Sequence, residues 1–329
     1  MNCCISVRKF LPCLLSFLAG MACMVAWPMV AQEKAEPPAV KKVALESPPH
    51  RGLDANLYMQ ISAEYRACCI QAYQLGLNRL NAYFRFQING SIMDPGLGGN
   101  FTGTGGSGIS GNSNGTTNPF GFGLNGPKSE RPAAIIMDLD ETVLDNGAFQ
   151  SYELHNKLAY DQKKWDLFEE RCGDDVKLIT GAKEFIQYAQ KMNVKIYYIT
   201  NRNEKYKENT LKLLKRLQIG VPAEQLLCAT KTSDKTDRRK LVEKDYNVIL
   251  YFGDNLRDFD ERFKMSVSSK NTDQEIKTAV EQRKMQVDKE NRWGQSWIIL
   301  PNPAYGEWAK VLGRGEKDLD LLPPSAKLD

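Results

Sequence analysis

Two stretches of this 329-residue chain run from apolar residues into clustered acids. The first is Ile135-Ile136-Met137-Asp138-Leu139-Asp140-Glu141-Thr142, and the second is Leu250-Tyr251-Phe252-Gly253-Asp254-Asn255-Leu256-Arg257-Asp258-Phe259. A third apolar stretch ends Ile199-Thr200-Asn201-Arg202. In an extended chain a spacing of two puts Asp138 and Asp140 on one side. If Asp254 comes from a neighbouring strand, three carboxylates converge, and like charges that close require a cation. An all-oxygen donor set with few protein ligands suits Mg²⁺, which keeps several waters and takes up substrate phosphate.

These parts suffice for phosphoryl transfer. Asp138 is placed to attack phosphorus and carry it as an aspartyl phosphate. Asp140, protonated, hands its proton to the leaving alcohol and then takes one from the water that hydrolyses the intermediate, help typically worth about 10²–10⁴-fold. Mg²⁺, Lys235 and the Thr200 hydroxyl are expected to hold charge on the phosphoryl oxygens, which is most of what such a reaction demands. An acidic optimum follows, because an aspartate ordinarily titrates near about pH 4. A lone Asp-x-Asp is usually a solvated turn; here several functional parts agree at once. Lys235 lies in a base-rich stretch, 231–244, where a solvated helix face is the bland alternative.

The elements that must position these residues follow from apolar periodicity. Leu57, Ile61, Tyr65, Cys68, Cys69, Ala72, Tyr73 and Leu77 recur at three- and four-residue steps and predict a helix over 54–86. From Ala133 onward strands and helices alternate. Strands are predicted at Ala133 to Leu139, Val194 to Ile199, Leu226 to Ala229, Val248 to Phe252 and Trp297 to Leu300. Helices are predicted at Gly181 to Met192, Asn203 to Gln218 and 234–244. Such alternation implies an α/β fold with a parallel sheet flanked by helices. Its ligands bind beyond the carboxyl ends of the strands, where the acids lie.

The N-terminus has Arg8 and Lys9, then an uncharged apolar run from Phe10 to Val30. This reads as an export signal over 1–31, with Cys23 as a weakly framed lipid-attachment site; a membrane anchor is the alternative. Residues 32–53 form a Pro/Lys/Glu-rich linker. Residues 90–128 are dominated by Gly, Asn and Ser and read as a disordered insertion. They lack the Gly-Lys-Ser/Thr ending of a phosphate-binding loop. Without Arg8 and Lys9 the chain has 42 basic residues against 40 acidic ones, a balance that gives no support for a nucleic-acid polymer as partner. Past the signal only Cys68, Cys69, Cys172 and Cys228 remain, and Cys68 and Cys69 are expected as buried free thiols. The two histidines, His50 and His155, lie outside any Arg-His-Gly context, and no cysteine is followed by five residues and an arginine. Histidine- and cysteine-nucleophile phosphatases are therefore disfavoured.

Asp138-Leu139-Asp140-Glu141-Thr142-Val143-Leu144-Asp145-Asn146, followed by Gly253-Asp254-Asn255-Leu256-Arg257-Asp258-Phe259, resembles the class C acid phosphatases. These form a four-aspartate branch of the haloacid dehalogenase (HAD) superfamily that includes nucleotidase lipoproteins. Gln60 to Arg66, Trp165, Gly181 to Phe185, Thr200-Asn201-Arg202 and Pro301 to Trp308 fit as well. The resemblance implies a HAD-like Rossmannoid sheet over 54–310, with a small, mainly helical cap at about 147–180 and a C-terminal tail at 311–329. It implies Asp138 as nucleophile and metal ligand, and Asp140 as acid/base and ligand through its backbone carbonyl. Asp254 and Asp258 complete the metal set, Lys235 (with Lys231 as competitor) and Thr200 assist, and Asn201, Arg202 and Tyr305 meet the substrate. Tyr305 falls where the family puts an aromatic against the substrate's organic group; core packing is the alternative for it and for Trp308. The insertion, and Thr180 in place of the usual proline, depart from the family pattern.

The expected function is that of an exported, Mg²⁺-dependent acid phosphatase in the periplasm, in the outer membrane or outside the cell, acting on small phosphomonoesters such as nucleotides. A binding or storage protein on the same scaffold, or a phosphotransferase, is the alternative. Membrane association through the N-terminal segment and a homodimer are left open.

Overall fold

The computed structural model describes residues 52–89, 130–171 and 175–323. The export segment, most of the linker, the 90–128 stretch and Cys172 lie outside these residues.

The predicted strands form one parallel sheet. β1 (Ala133–Met137) pairs with β4 (Lys195–Asn203) on one side and β6 (Asn247–Gly253) on the other. β5 (Leu226–Ala229) and β7 (Trp297–Ile299) form the edges, giving the order β5-β4-β1-β6-β7. Successive side chains on β1 serve opposite faces. Ile135 and Met137 join a core with Phe185, Ile196, Tyr198, Leu250 and Phe252, whereas Ala134 and Ile136 join a smaller one with Tyr197, Ile199 and Val242. Both faces are covered, which is why these strands read as unbroken apolar runs.

Where one helix was expected over 54–86 there are two, α1 (Leu53–Ile61) and α2 (Ala63–Asn89). Ser62 between them is extended, and its Oγ accepts the Tyr65 backbone N–H at 2.9 Å. A serine that can cap a new helix competes with continuing the old one. α2 then runs down the sheet. Partway along, Tyr73 stacks on Phe252, ring centroids 5.4 Å apart, and donates to the Thr142 carbonyl at 2.7 Å. Gly76 allows this approach, since a Cβ there would run into the Phe252 ring. Near its end Asn247, at the start of β6, donates to the Tyr83 hydroxyl at 3.4 Å.

Along α2 Cys69 is buried as expected, but Cys68 is exposed. Adjacent positions on a helix point about 100° apart, so only one of the two can face the core. Both are free thiols, as is buried Cys228.

A hairpin of β2 (Leu144–Asp145) and β3 (Lys177–Leu178) brackets two helices, α3 (Gly147–His155) and α4 (Gln162–Arg171). Phe149, Trp165 and Phe168 bind this pair together, with centroids 5.0 to 5.4 Å apart. α5 (Ala182–Lys191), α6 (Lys207–Arg216) and α7 (Thr236–Asp245) alternate with the strands, α8 (Leu256–Phe259) follows β6, and α9 (Asp273–Asp288) precedes β7. The predicted helix start at Asn203 falls instead on the end of β4, with a short 3₁₀ turn before α6. Among the described residues no helix is long and apolar enough to cross a membrane.

Candidate active site

Strand register brings the acids together. Met137 lies beside Phe252, and the Asp138 backbone N–H donates to the Phe252 carbonyl at 2.9 Å. Asp138 and Asp254 therefore leave neighbouring strands at the same rim of the sheet. Asp258 joins them by folding back: its Oδ2 accepts the Asn255 N–H at 2.9 Å, closing a tight cap on α8. Gly253 makes room, because a Cβ there would sit 2.5 Å from Asp258 Cβ.

Carboxylate oxygens of Asp138, Asp254 and Asp258 lie within 4.8 Å of one another. Lys235, 4% exposed just before α7, donates to Asp258 Oδ1 at 2.7 Å and also to Asp138 Oδ1. Lys231, the competing candidate, is exposed. Asp254 is steadied by Asn302 Nδ2 at 2.8 Å and Thr142 Oγ1 at 3.1 Å.

One ammonium does not balance three carboxylates. Burial holds Asp138 above the usual carboxylate range; Lys235 opposes this, and the charges of Asp258, Asp254 and Asp140 add to it. Burial, then the Asp258 charge, pushes Asp254 up to about 7. Burial works against the Lys235 charge, but Asp138 and Asp258 outweigh it and keep the ammonium above its usual range. A cation among the three acids would reverse the first two shifts. The oxygen-only donor set fits a hard divalent ion.

The Asp140 side chain is placed otherwise. It is not among the three clustered carboxylates and instead faces Arg202, whose Nε and Nη2 lie 2.9 and 2.8 Å from its Oδ1. Asn146 Nδ2 reaches the same oxygen at 2.9 Å. The convergence of three acids involves Asp258 where the Asp-x-Asp spacing alone suggested Asp140, because the strand ends at Met137 and the chain turns. That turn puts Glu141 in the left-handed region at φ 58°. Glu141 is wholly buried, with Oε1 held at 3.2 Å by Asn146 N, Asn146 Nδ2 and Gln150 Nε2. Burial, then the Asp140 charge, raises its carboxyl well above the usual range.

Thr200, Asn201 and Arg202 sit in an irregular stretch of β4. Ile199 pairs with Leu227 and Asn203 with Ala229, so two extra residues bulge out of the ladder and re-aim their side chains. Thr200, wholly buried, directs its Oγ1 to Asp140 Oδ2 at 3.3 Å. Asn201 lines the cavity, its Oδ1 held at 2.9 Å by Arg238. Arg202 is also wholly buried and engaged with Asp140 and Asn146.

A cavity of ≈ 650 Å³ opens over these groups. Its floor includes Asp138, Asp140, Lys235, Asp254 and Asp258. Its upper wall is apolar and aromatic, with Phe149, Leu154, Leu158, Tyr160, Trp165 and Tyr305. Tyr305 is 42% exposed at the mouth, and Trp308 is equally exposed, so neither is core packing.

Asn146, Glu169, Asn302 and Thr142 were given no role from the sequence. Asn146 and Thr142 belong to the acid motif and Asn302 to the Pro301–Trp308 segment, so their location in motifs was the available signal. Glu169 gave none: it lies in the polar α4 sequence QKKWDLFEER. In the structure it is wholly buried and accepts Asn203 N at 2.9 Å and Trp165 Nε1.

Comparison with known proteins agrees with this geometry. The sequence profile described as HAD superfamily, subfamily IIIB (Acid phosphatase) matches residues 117–308, more than half of the chain. The structure is similar to that of the class C acid phosphatase from Bacillus anthracis, at 27% identity and TM-score 0.58, covering 79% of this chain and 87% of that one. The same enzyme with tungstate bound matches at 27% identity and TM-score 0.57, covering 82% and 93%. With its parallel sheet and rim of aspartates able to hold a metal, the chain belongs to subfamily IIIB of the HAD superfamily, fits the class C acid phosphatases within it, and is a phosphomonoesterase.

Proposed function

We propose that this chain is an exported, Mg²⁺-dependent acid phosphatase that hydrolyses small phosphomonoesters, nucleoside monophosphates among them. The observation that carries the reading is the buried Asp138 carboxylate, set between the Lys235 ammonium and two further acids on the cavity floor. Asp138, Asp254 and Asp258, with the Asp140 carbonyl, would hold the ion. When bound, Mg²⁺ neutralises charge on the phosphoryl oxygens.

Asp138 attacks phosphorus as the bond to the leaving oxygen breaks, and that oxygen takes a proton from Asp140. In the second half Asp140 accepts a proton from water, the water oxygen bonds to phosphorus, and the Asp138–phosphorus bond breaks. Lys235 keeps Asp138 in place and adds positive charge beside the transferred group. The aromatic wall supports nucleotides as substrates, because a base can stack on Tyr305 and shed apolar surface against the cap.

Export rests on the charged start and apolar run of residues 1–31. Hydrolysis of p-nitrophenyl phosphate at acidic pH is expected to stop in excess chelator and return with Mg²⁺; full activity in chelator removes the metal from the account. Tyr305→Ala is expected to raise KM for nucleoside monophosphates about tenfold, the scale of one lost stacking contact. KM for small aliphatic phosphates should barely move. Equal effects on both classes remove Tyr305 from recognition.

A further inference from the structure

The two oxygens of Asp140 are held unequally. Oδ1 receives three donors: Asn146 Nδ2 at 2.9 Å, Arg202 Nε at 2.9 Å and Arg202 Nη2 at 2.8 Å. Oδ2 has longer contacts, 3.2 Å to Arg202 Nε and 3.3 Å to Thr200 Oγ1. An oxygen surrounded by three N–H groups has no room for a proton of its own. A hydroxyl can donate or accept, so Thr200 can accompany Oδ2 in either protonation state. The atom free to exchange a proton is therefore Oδ2.

The cage is itself rigid. Arg202 Nη2 donates to Asn146 Oδ1 at 3.1 Å, closing a triangle of Asp140, Arg202 and Asn146. The guanidinium carbon lies 5.7 Å from the centre of the Trp165 ring, and Arg202 is wholly buried. Asn146 stands at the start of α3 and Trp165 on α4, so both cap helices brace a side chain that comes from the sheet.

We propose that Arg202 and Asn146 are positioning residues that hold Asp140 Oδ1 so that Oδ2 points at the leaving oxygen, and that Arg202 does not bind the substrate phosphate. This rests on the reading of Asp140 as acid. It reassigns Arg202, whose residue type alone suggests a phosphate ligand. Although Arg202 lines the cavity, a guanidinium already paired with the Asp140 carboxylate and with no exposed surface is poorly available to a second anion.

The test uses leaving groups. Nitrophenolate departs without protonation, whereas the alkoxide of glycerol phosphate needs the acid. kcat/KM reports steps up to formation of the Asp138 acyl phosphate, so it isolates that proton transfer. In the full-length protein, Arg202→Lys is expected to lower kcat/KM for glycerol phosphate about 10²-fold, the cost of a small misplacement of a catalytic group. The loss for p-nitrophenyl phosphate should be only a few-fold by the same argument, with inhibition by inorganic phosphate unchanged. Equal losses on both substrates, or weakened phosphate inhibition, overturn the proposal. Asn146→Ala, which keeps the guanidinium, is expected to show the same selectivity more weakly and serves if Arg202→Lys does not fold. Asp140→Asn separates the two levels of the argument. If it too hits both substrates equally, the acid reading itself fails. If it is selective while the Arg202 and Asn146 variants are not, only the positioning role fails.

Discussion

Asp138 and Asp140 are one leucine apart, yet their surroundings differ in kind. Asp138 lies with two other acids and a single ammonium, a group short of positive charge. Asp140 lies in a closed cage of guanidinium and amide donors, each already matched. The first setting can hold a metal, and in the proposed reaction it leaves an oxygen to attack phosphorus. In the second the side chain is already paired, and in the proposed reaction it presents a proton-exchanging oxygen. Identical side chains acquire separate tasks from the donors around them.

The comparison can be broken most severely at its nucleophile. Asp138→Asn is expected to lower kcat on the order of 10⁴-fold or more, the scale of losing a residue that forms the covalent intermediate. Its circular dichroism should match wild type; wild-type turnover in that variant refutes the assignment. Lys235→Met deepens the shortage of positive charge. A fall in kcat of about 10²–10³-fold is expected from the lost electrostatic stabilisation. Stability in chelator should drop by about 3–5 kcal/mol, as for a buried ion pair stripped of one partner. Added Mg²⁺ should then raise Tm more in the variant than in wild type, and no such difference would mean the acids do not share an ion.

A milder change loosens one ligand. Asn302→Ala frees Asp254 Oδ2 and should weaken Mg²⁺ activation about 10–100-fold without changing kcat at saturating metal. The smallest effect sharpens the cage side. Burial lifts Glu169 from the usual 4.5 to about 7, so between those values the folded protein keeps a proton that the unfolded chain releases. Stability therefore falls as pH rises through that window. Glu169→Gln, although lower in Tm because one acceptor is lost, should show a flatter dependence of Tm on pH from 4.5 to 7. An unchanged slope would mean that another group titrates there.

Much of this was legible from residue order. A strand buried on both faces must be apolar throughout, so β1, β4 and β6 were plain, and the acids at their ends followed. Other features depend on contacts that spacing does not encode. Ser62 reads as one more helical position until its hydroxyl is seen capping α2. Arg202 meets Asp140 across 62 residues, and only the bulge in β4 aims it there. The same bulge brings the Thr200 hydroxyl to 3.3 Å from Asp140 Oδ2, a contact that spacing alone does not announce. Glu169 was invisible because an acid in a charged helix is normally solvated, and its burial comes from the packing of α4 on the end of β4.

The course of α2 has a practical corollary. It passes the Thr142 carbonyl, just beyond the Asp138 end of β1, at Tyr73 and reaches Asn247, at the amino end of β6, by Tyr83. Whatever lies between Asn89 and β1 therefore joins the domain on the side remote from the reaction. Lengthening, trimming or tagging the chain at that junction should leave turnover untouched, which makes it a natural place to graft a reporter or an immobilising tether.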